Sequence, residues 1–446
     1  MGSHGDHEGV AGMIWLAGVL ILFFGLLISI ALHELGHFTF AKLFGVRVPQ
    51  YMVGFGPTLW SKTRGETEYG VKWIPLGGYI RMIGMLPPRR GDAEGRVRSV
   101  SSGPWQGLIE SARGAALEEV RPGDEDRVFY RKKWWQKLII MFAGPAVNLV
   151  LAAIVFAVLL MGFGAQTAKS DPVVNSVSEC VLPASSTATS CPAGAQPTPA
   201  ARAGLQPGDR IVAFDGRKVT SYTEVQEQIR ASAGKNVAID VERGGRTVTL
   251  HAPIIENQMP DLKDLDKTVT VGYLGIAPVT RVVYERQGPV AVVKYMGELT
   301  SRTAGALLHM PQKMVGVWHA AFGDEKRDPN GPIGVVGVSR LGGELAASHE
   351  PTKSKVYGLI GLIGSLNLAV GLFNLVPLLP LDGGHMAGAL LEALKKFFAR
   401  TLRRPDPGPV DVAKALPVTY VMAAVLIVMG GLLVYADLFN PIRLTG

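Results

Sequence analysis

Two histidines and a glutamate near the start of the chain have the spacing of a metal-dependent hydrolytic site. The stretch LLISIALHELGHFTFAKLFG, residues 26–45, places His33 and His37 four positions apart, with Glu34 directly after the first. Side chains four apart share one face of a helix, so these two imidazoles can bind one zinc ion. A glutamate beside the first ligand can act as a general base on water. The motif therefore predicts zinc-dependent hydrolysis.

The alternative to a metal site is a pair of histidines packed at the end of a helix. The setting weighs against that alternative, because the motif lies in one of the most apolar stretches of the chain. Ionisable side chains inside a membrane helix are costly unless they have a partner. The apolar surroundings therefore favour a working site.

Two histidines leave a tetrahedral zinc ion short of a third protein ligand. The sequence FNLVPLLPLDGGH, residues 373–385, offers Asp382 at the end of another apolar segment. Two alternatives stay open at this point. Asp382 could instead cap the helix that follows it. His385 is a competing metal ligand, which we rank second because it better suits a position beside the metal ligands or a structural role.

The composition indicates a membrane protein. Hydrophobic residues make up 48% of the chain and charged residues 18%, whereas soluble proteins are roughly a quarter charged. Four segments reach the ~20 apolar residues that a helix needs to cross hydrocarbon. The predicted spans are residues 13–45, 138–163, 356–381 and 416–438. We therefore expect a polytopic helical membrane protein with four transmembrane helices.

The basic residues predict the orientation of these spans. Lysine and arginine cluster in the connections between the first and second spans and between the third and fourth. The positive-inside rule places both connections in the cytoplasm, and both termini outside it. The first and third spans then run in the same direction, so the histidines and Asp382 reach similar depth, toward the cytoplasmic leaflet. The net charge of +8 requires no nucleic acid, since much of the excess lies in these flanks.

The remaining segments have distinct patterns. Residues 1–12 resemble an added or disordered extension before Met13. Residues 46–86 alternate apolar and polar positions between glycine-rich turns, which predicts a membrane-associated β-region. We expect a cytoplasmic insertion and linker at 87–137, an amphipathic helix and connector at 283–355, and a cytoplasmic segment at 382–415. The amphipathic helix could lie on the outer membrane surface or pack on the domain before it.

A separate domain is expected between the second and third spans. Residues 203–209 read Ala-Gly-Leu-Gln-Pro-Gly-Asp, and a hairpin with Gly244 and Gly245 at its tip follows. Together these resemble a PDZ domain of the bacterial membrane-protease type over residues 171–282, as a single copy. Cys180 and Cys191 fall in this extracytoplasmic region, where a disulfide is permitted. Two free thiols are the alternative.

Three motifs together resemble the site-2 protease family of intramembrane zinc metalloproteases. They are HELGH, AGPAVNL at residues 143–149 and FNLVPLLPLDGGH. The bacterial regulator-of-sigma-E-protease type is the nearest group, and VGFGPTLWSKTRGETEYGVKWIPLGGY, residues 53–79, points to its actinobacterial members. The resemblance covers nearly the whole chain from Met13. It implies a Zn²⁺ enzyme in the bacterial plasma membrane.

The resemblance assigns roles to individual residues. It implies that His33, His37 and Asp382 hold the zinc ion, with Glu34 as the general base. It also places the element containing Gly144, Pro145 and Asn148 close to the site, and a β-element from residues 46–85 along it. The implied substrates are single-span membrane proteins such as anti-sigma factors or remnant signal peptides. The single PDZ unit is a departure from members that carry two.

Asn374 and Pro377 have a physical reason to bind substrate, and the resemblance adds Asn148. A transmembrane helix satisfies its own backbone hydrogen bonds, so its peptide bonds are poor targets until it unwinds. An amide side chain beside a proline-broken helix end can supply replacement partners. For Asn374, an ordinary hydrogen bond between helices is the alternative.

We therefore predict a membrane-embedded zinc endopeptidase. A PDZ-bearing scaffold with a structural zinc ion and no catalysis is the alternative, which Glu34 disfavours because a structural site needs no base. A transporter is a third hypothesis, disfavoured by the lack of evident inverted repeats.

Overall fold

The computed structural model describes residues 3–88, 104–181, 191–192, 194–260, 268–323, 325, 327–329 and 331–442. The chain divides into two units. The helical unit comprises Met1–Phe163 and Arg286–Gly446, and the β unit comprises Gly164–Glu285. The β unit is therefore an insertion within the helical unit.

Four helices in the described part of the chain are long and apolar enough to cross a membrane. These candidate spans are Gly9–Leu43, Trp134–Phe163, Thr352–Asn374 and Val412–Phe439. A helix suits this environment because all of its interior backbone groups bond within the segment. The prediction of a polytopic helical membrane protein is confirmed to this extent.

The helices are numbered along the chain. They are α1 Ser3–Leu43, α2 Pro104–Glu118, α3 Trp134–Ala157, α4 Pro199–Ala203, α5 Tyr222–Ala231, α6 Pro289–Leu308, α7 Met310–Phe322, α8 Val335–Ala347, α9 Thr352–Asn374, α10 Asp382–Thr401 and α11 Leu416–Phe439. A π-helical turn, Val158–Phe163, extends α3. All except α4 and α5 belong to the helical unit.

Two helix boundaries differ from those expected from the sequence. Helix α1 begins at Ser3, so residues 3–12 are helical rather than irregular. No proline interrupts this segment, and a nucleated helix propagates readily. Helix α9 ends at Asn374, whereas the span was expected to reach residue 381. Pro377 and Pro380 lack the N–H group that would continue the helix, which explains the earlier end.

The expected β-region is a pair of strands, β1 Gln50–Arg64 and β2 Thr67–Arg81. Residues 50–53 pair both with residues 68–71 and with residues 78–81. Gly54 and Gly56 follow with φ values of +92° and +84°, which glycine adopts without steric cost. Among the described residues, 78–81 pair on one side only, so they form an edge of this small sheet.

The cytoplasmic insertion and linker expected at 87–137 is described in part. Residues 89–103 lie outside the described ranges, and the described remainder contains α2. Arg113 of α2 donates to both carboxylate oxygens of Asp411, at 2.7 and 2.6 Å. Arg81, the last residue of β2, pairs with Glu119 just beyond α2. The two ion pairs connect α2 to the end of β2 and to the segment before α11.

Small residues bring the main membrane helices into backbone contact. A Cβ atom built at Gly36 of α1 would lie 2.6 Å from the carbonyl oxygen of Ala143 in α3. One built at Gly18 would lie 2.3 Å from the carbonyl oxygen of Gly342 in α8. Small residues allow membrane helices to pack this closely. Close packing matters in a membrane because lipid tails are as apolar as the side chains, so the hydrophobic effect does not drive helices together. Helix α1 is therefore held against both α3 and α8.

The β unit contains all of the other strands in the described residues. They are β3 Ala165–Val177, β4 Arg210–Phe214, β5 Arg217–Lys218, β6 Asn236–Arg243, β7 Arg246–Pro253, β8 Ile255–Pro260, β9 Thr268–Tyr273 and β10 Ile276–Glu285. The main sheet has the order β10-β3-β4-β6-β7, with β5 beside β4, and β8 pairs with β9. The predicted hairpin is confirmed as β6–β7, with Gly244 and Gly245 both at positive φ.

The β unit has its own apolar core and polar supports. Phe214, Ile239 and Val241 are among its fully buried side chains. Burial alone would raise the pKa of the Asp209 carboxyl, but hydrogen bonds from Arg243 and the Gln206 N–H outweigh it and lower that pKa. Cys180 and Cys191 are joined by a disulfide in the structure. The unit thus has the features of an independent domain.

Replacing Gly342 with alanine should destabilise the helical unit. The added Cβ would lie 2.6 Å from Cγ of the buried Leu22 and 2.8 Å from the carbonyl oxygen of Gly18. Overpacking of this kind costs about 1–3 kcal/mol, so we expect a lower unfolding midpoint in detergent. Gly430→Ala in α11 is the matched control, because no atom lies within 4 Å of its added Cβ. Equal midpoints for the two variants would contradict this packing.

Candidate metal centre

Three side chains from two helices converge beside the end of the first span. His33 and His37 lie one turn apart on α1, and Asp382 is the first residue of α10. The Oδ2 atom of Asp382 lies 3.1 Å from Nε2 of His33 and 3.2 Å from Nε2 of His37. The two Nε2 atoms are 3.2 Å apart. The three atoms therefore form a nearly equilateral triangle.

The size of this triangle fits a tetrahedral zinc ion. With metal–ligand bonds of about 2.0 Å, tetrahedral ligand atoms lie about 3.3 Å apart. The two histidines are buried, and the aspartate has a side-chain exposure of 20%. Among the described residues, these three form a group whose ligand atoms lie close enough together to hold a metal ion. The donor set thus leaves one tetrahedral position for water or substrate.

A backbone carbonyl fixes the orientation of His37. The Nδ1 atom of His37 lies 2.7 Å from the carbonyl oxygen of Ile140 in α3. A carbonyl only accepts hydrogen bonds, so Nδ1 carries a proton, and a ring that binds a metal then presents its lone pair at Nε2. A lone pair facing a carboxylate oxygen at 3.2 Å is unfavourable unless a cation lies between them. The contact therefore fits a metal ligand held by an outer hydrogen bond.

The absence of a side chain at Gly144 leaves room beside the ligand atoms. A Cβ built there would lie 2.2 Å from Nε2 of His37 and 2.7 Å from Nε2 of His33. The first distance is close to a zinc–nitrogen bond of about 2.0–2.1 Å, and the second is longer. The space that a methyl group at residue 144 would fill thus adjoins both nitrogen ligands. A bound metal ion needs space at that position.

Glu34 lies between the metal-binding helix and the small sheet. Its carboxylate accepts a hydrogen bond from the backbone N–H of Ile80 in β2. A Cβ built at Gly78 would lie 3.1 Å from Cγ of Glu34. Tyr51 of β1 donates a hydrogen bond of 2.5 Å to the carbonyl oxygen of Ala31 in α1. The edge formed by residues 78–81 therefore runs beside the carboxylate.

Asp382, rather than His385, lies with the two histidines. Leu381 precedes α10 as its capping residue, and no side-chain capping bond is formed there. Asp382 instead contacts the two histidines. His385 lies in the first turn of α10 but is not part of the three-residue group.

The other sequence-predicted residues occupy separate positions around the site. Asn374 ends α9, and its side-chain nitrogen donates to the carbonyl oxygen of Val370 at 3.2 Å. Pro377 is exposed in the turn between α9 and α10. Asn148 lies one turn beyond Gly144 in α3 and is fully buried. Neither polar atom of its side chain has a hydrogen-bond partner among the described residues.

Sequence reasoning missed two groups that hold the site. The Ile140 carbonyl and the Ile80 N–H are backbone atoms, so no residue type in the sequence signals them. The positions of Gly36 and Gly144 offer an indirect signal, since small residues on two spans favour backbone contact. Of the sequence-predicted site residues, Cys180 and Cys191 belong to the β unit, whereas the metal ligands belong to the helical unit.

Comparisons with known proteins agree with this geometry. The profile of peptidase family M50 matches residues 21–403. The zinc metalloprotease Rip1 of Mycobacterium tuberculosis strain H37Rv is 33% identical, with 97% of this chain and all of that protein covered. Rip1 of Mycolicibacterium smegmatis is 31% identical over 97% of this chain and all of that protein. Metalloprotease MmpA of Caulobacter vibrioides is 31% identical over 86% of this chain and 88% of that protein. The chain therefore belongs to peptidase family M50, the site-2 protease family of zinc metalloendopeptidases, and zinc is its cofactor.

Proposed function

We propose that this intramembrane zinc protease cleaves transmembrane segments of single-span membrane proteins. Anti-sigma factors and remnant signal peptides are the substrate classes that we favour. The observation that carries the proposal is the triangle of donor atoms from His33, His37 and Asp382, with Glu34 beside it on an apolar span. A protease that acts on membrane helices needs its chemistry at that depth.

The residues have distinct roles in this reaction. His33, His37 and Asp382 hold the zinc ion, which when bound lowers the pKa of water and polarises a carbonyl group. Glu34 accepts the proton of the attacking water and then donates it to the leaving amine. The hydrogen bond from Ile80 to the Glu34 carboxylate keeps that group aimed at the site. The Ile140 carbonyl holds the His37 ring in the tautomer that a metal ligand requires.

Substrate binding requires the target helix to unwind locally. The edge formed by residues 78–81 lies beside Glu34 and pairs with β1 on one side, so its other side can add an extended peptide as a further strand. Asn374 and Pro377 lie at the broken end of α9 and supply polar groups to the freed backbone. Asn148 has two buried polar atoms without a described partner, so it can bind substrate or water. These contacts would replace the hydrogen bonds that the substrate helix gives up.

The placement in the membrane is part of the proposal. We place both termini and the β unit outside the cytoplasm and the metal centre toward the cytoplasmic leaflet. The sheet order, the glycine-tipped hairpin and the run from Ala203 to Asp209 support a PDZ-type unit. Such a unit can exclude substrates with bulky external domains or read a newly formed peptide terminus.

Replacing Glu34 with glutamine should abolish proteolysis and leave the fold and zinc content intact. The amide keeps the size of the side chain but cannot accept and return a proton, so we expect a loss of about 100- to 10,000-fold in rate. Cleavage of a membrane-anchored reporter in proteoliposomes measures this, with Glu350→Gln on an exposed loop as the control. Cleavage at the wild-type rate would favour the scaffold with a structural zinc ion.

Replacing Asp382 with alanine should lower the zinc content of the purified protein, whereas His385→Ala should retain it. Asp382 contacts both histidines, whereas His385 is not part of the three-residue group that could hold a metal ion among the described residues. Zinc per protein, measured by mass spectrometry of the metal, distinguishes the two variants. Full zinc in Asp382→Ala together with zinc loss in His385→Ala would make His385 the third ligand.

Replacing Gly144 with alanine should weaken zinc binding although alanine favours the helix. The new methyl group would lie 2.2 Å from Nε2 of His37, so the imidazoles must move out of the ligand triangle. We expect a loss of affinity of at least roughly 10-fold, in the range seen when the surroundings of a metal site are disturbed. Competition with a zinc chelator measures it. Gly162→Ala in the same span is the control, because nothing lies within 4 Å of its Cβ.

A further inference from the structure

Helix α10 carries the metal ligand at its start and is fixed to the protein by one face. Ala389 and Glu392 on that face are buried. The Glu392 carboxylate pairs with Lys137 of α3 at 2.7 Å and with Lys396 at 2.8 Å. The ion pair between Lys137 and Glu392 therefore attaches the buried face of α10 to α3.

The opposite face of α10 is apolar and exposed. Six large side chains on it are between 43% and 64% exposed: Leu390, Leu391, Leu394, Phe397, Phe398 and Leu402. Their spacing of one, three or four positions places them along one side of a helix. Contiguous apolar surface of this kind marks a contact with a partner or a membrane. Helix α10 is not itself among the candidate spans.

Basic residues cluster at and just beyond the end of the helix. Lys395, Arg400, Arg403 and Arg404 are exposed. Within the described part of the chain, none of these four forms an ion pair, in contrast to Lys396 on the buried side. An apolar helix face that leads to a basic end is the pattern of a segment that reaches the membrane surface, where lysine and arginine side chains extend to the interface.

The contacts along α3 indicate how deep α10 lies. Asp382 is level with Gly144, since both contact the His37 imidazole, whereas Glu392 is level with Lys137. Helix α10 therefore runs toward the beginning of α3, where Trp135 is exposed as an interfacial aromatic. Ten further residues lead from Glu392 to Leu402, or about 15 Å of helix. The exposed phenylalanines consequently reach the level of the lipid headgroups.

We propose that α10 is a lipid-facing anchor whose basic end binds anionic phospholipid. The apolar face enters the leaflet, and the four cations contact lipid phosphates. The charge pattern argues for this occupant, because an anionic lipid surface contributes about 1 kcal/mol for each nearby basic residue, or roughly five-fold in affinity. The same helix begins with Asp382, so the lipid contact steadies the element that carries the third metal ligand. In the orientation proposed above, this is the cytoplasmic leaflet.

Site-directed nitroxides test whether lipid covers the apolar face. The described residues contain no free cysteine, so a label can be attached at Leu394→Cys or Phe398→Cys in the full-length protein in nanodiscs containing phosphatidylglycerol. We expect relaxation by dissolved oxygen to exceed relaxation by water-soluble nickel-EDDA. Asp126→Cys is the water-exposed control, because the Asp126 side chain is 96% exposed. Dominant nickel access would overturn the proposal, as would exclusion of both reagents, which means that a second copy or another protein covers the face.

A charge variant tests the headgroup contact without requiring proteolysis. Spin-labelled phosphatidylglycerol and phosphatidylcholine report the lipid preference of the intact protein. We expect the combined change Arg400→Gln, Arg403→Gln and Arg404→Gln to lower the preference for phosphatidylglycerol roughly five-fold or more, and added salt to lower it in the unmodified protein. An unmoved preference in a variant with a normal unfolding midpoint would refute the headgroup contact. Both tests are independent of cleavage, so they can fail or succeed separately from the proposed function.

Discussion

The convergence of His33, His37 and Asp382 is the contact on which the rest of the structure depends. Two of these residues belong to α1, and the third is 345 positions beyond His37 along the chain. Three electronegative atoms within 3.2 Å of one another repel each other unless a cation is present. The fold must therefore supply enough rigidity to hold them together for the metal, and the helices around them are packed accordingly.

That rigidity comes from backbone contact more than from bulky side chains. Gly36 brings α1 against Ala143 of α3, and the neighbouring Gly144 leaves space beside the imidazoles. The same approach brings the Ile140 carbonyl within reach of the His37 ring. Glycines at this interface thus serve packing and metal coordination together, since both require the two helix axes to be close.

The sequence was sufficient for the features that depend on local pattern. Apolar length predicts the spans, and the four-residue spacing places His33 and His37 on one face. The depth argument from span direction brings Asp382 to the same level, as the structure shows. The end of α9 at Asn374 was predicted wrongly, at residue 381, although Pro377 and Pro380 mark the earlier end.

Features that depend on contacts between residues far apart in the sequence could not be predicted from it. The double pairing of residues 50–53 is set by contacts between segments up to 31 positions apart, as in Gln50 with Arg81, and strand register is specified by such contacts. The hydrogen bonds from Ile80 and to Ile140 involve backbone atoms, which carry no residue identity.

The break between α9 and α10 has a mechanical consequence. The third span and the helix bearing Asp382 are two bodies joined by the short turn that contains Pro377. Rotation of α9 about its own axis is therefore not transmitted rigidly to α10, which the Lys137–Glu392 pair attaches to α3. Helix α9 can therefore move to admit a substrate helix while Asp382 on α10 keeps its position relative to the two histidines.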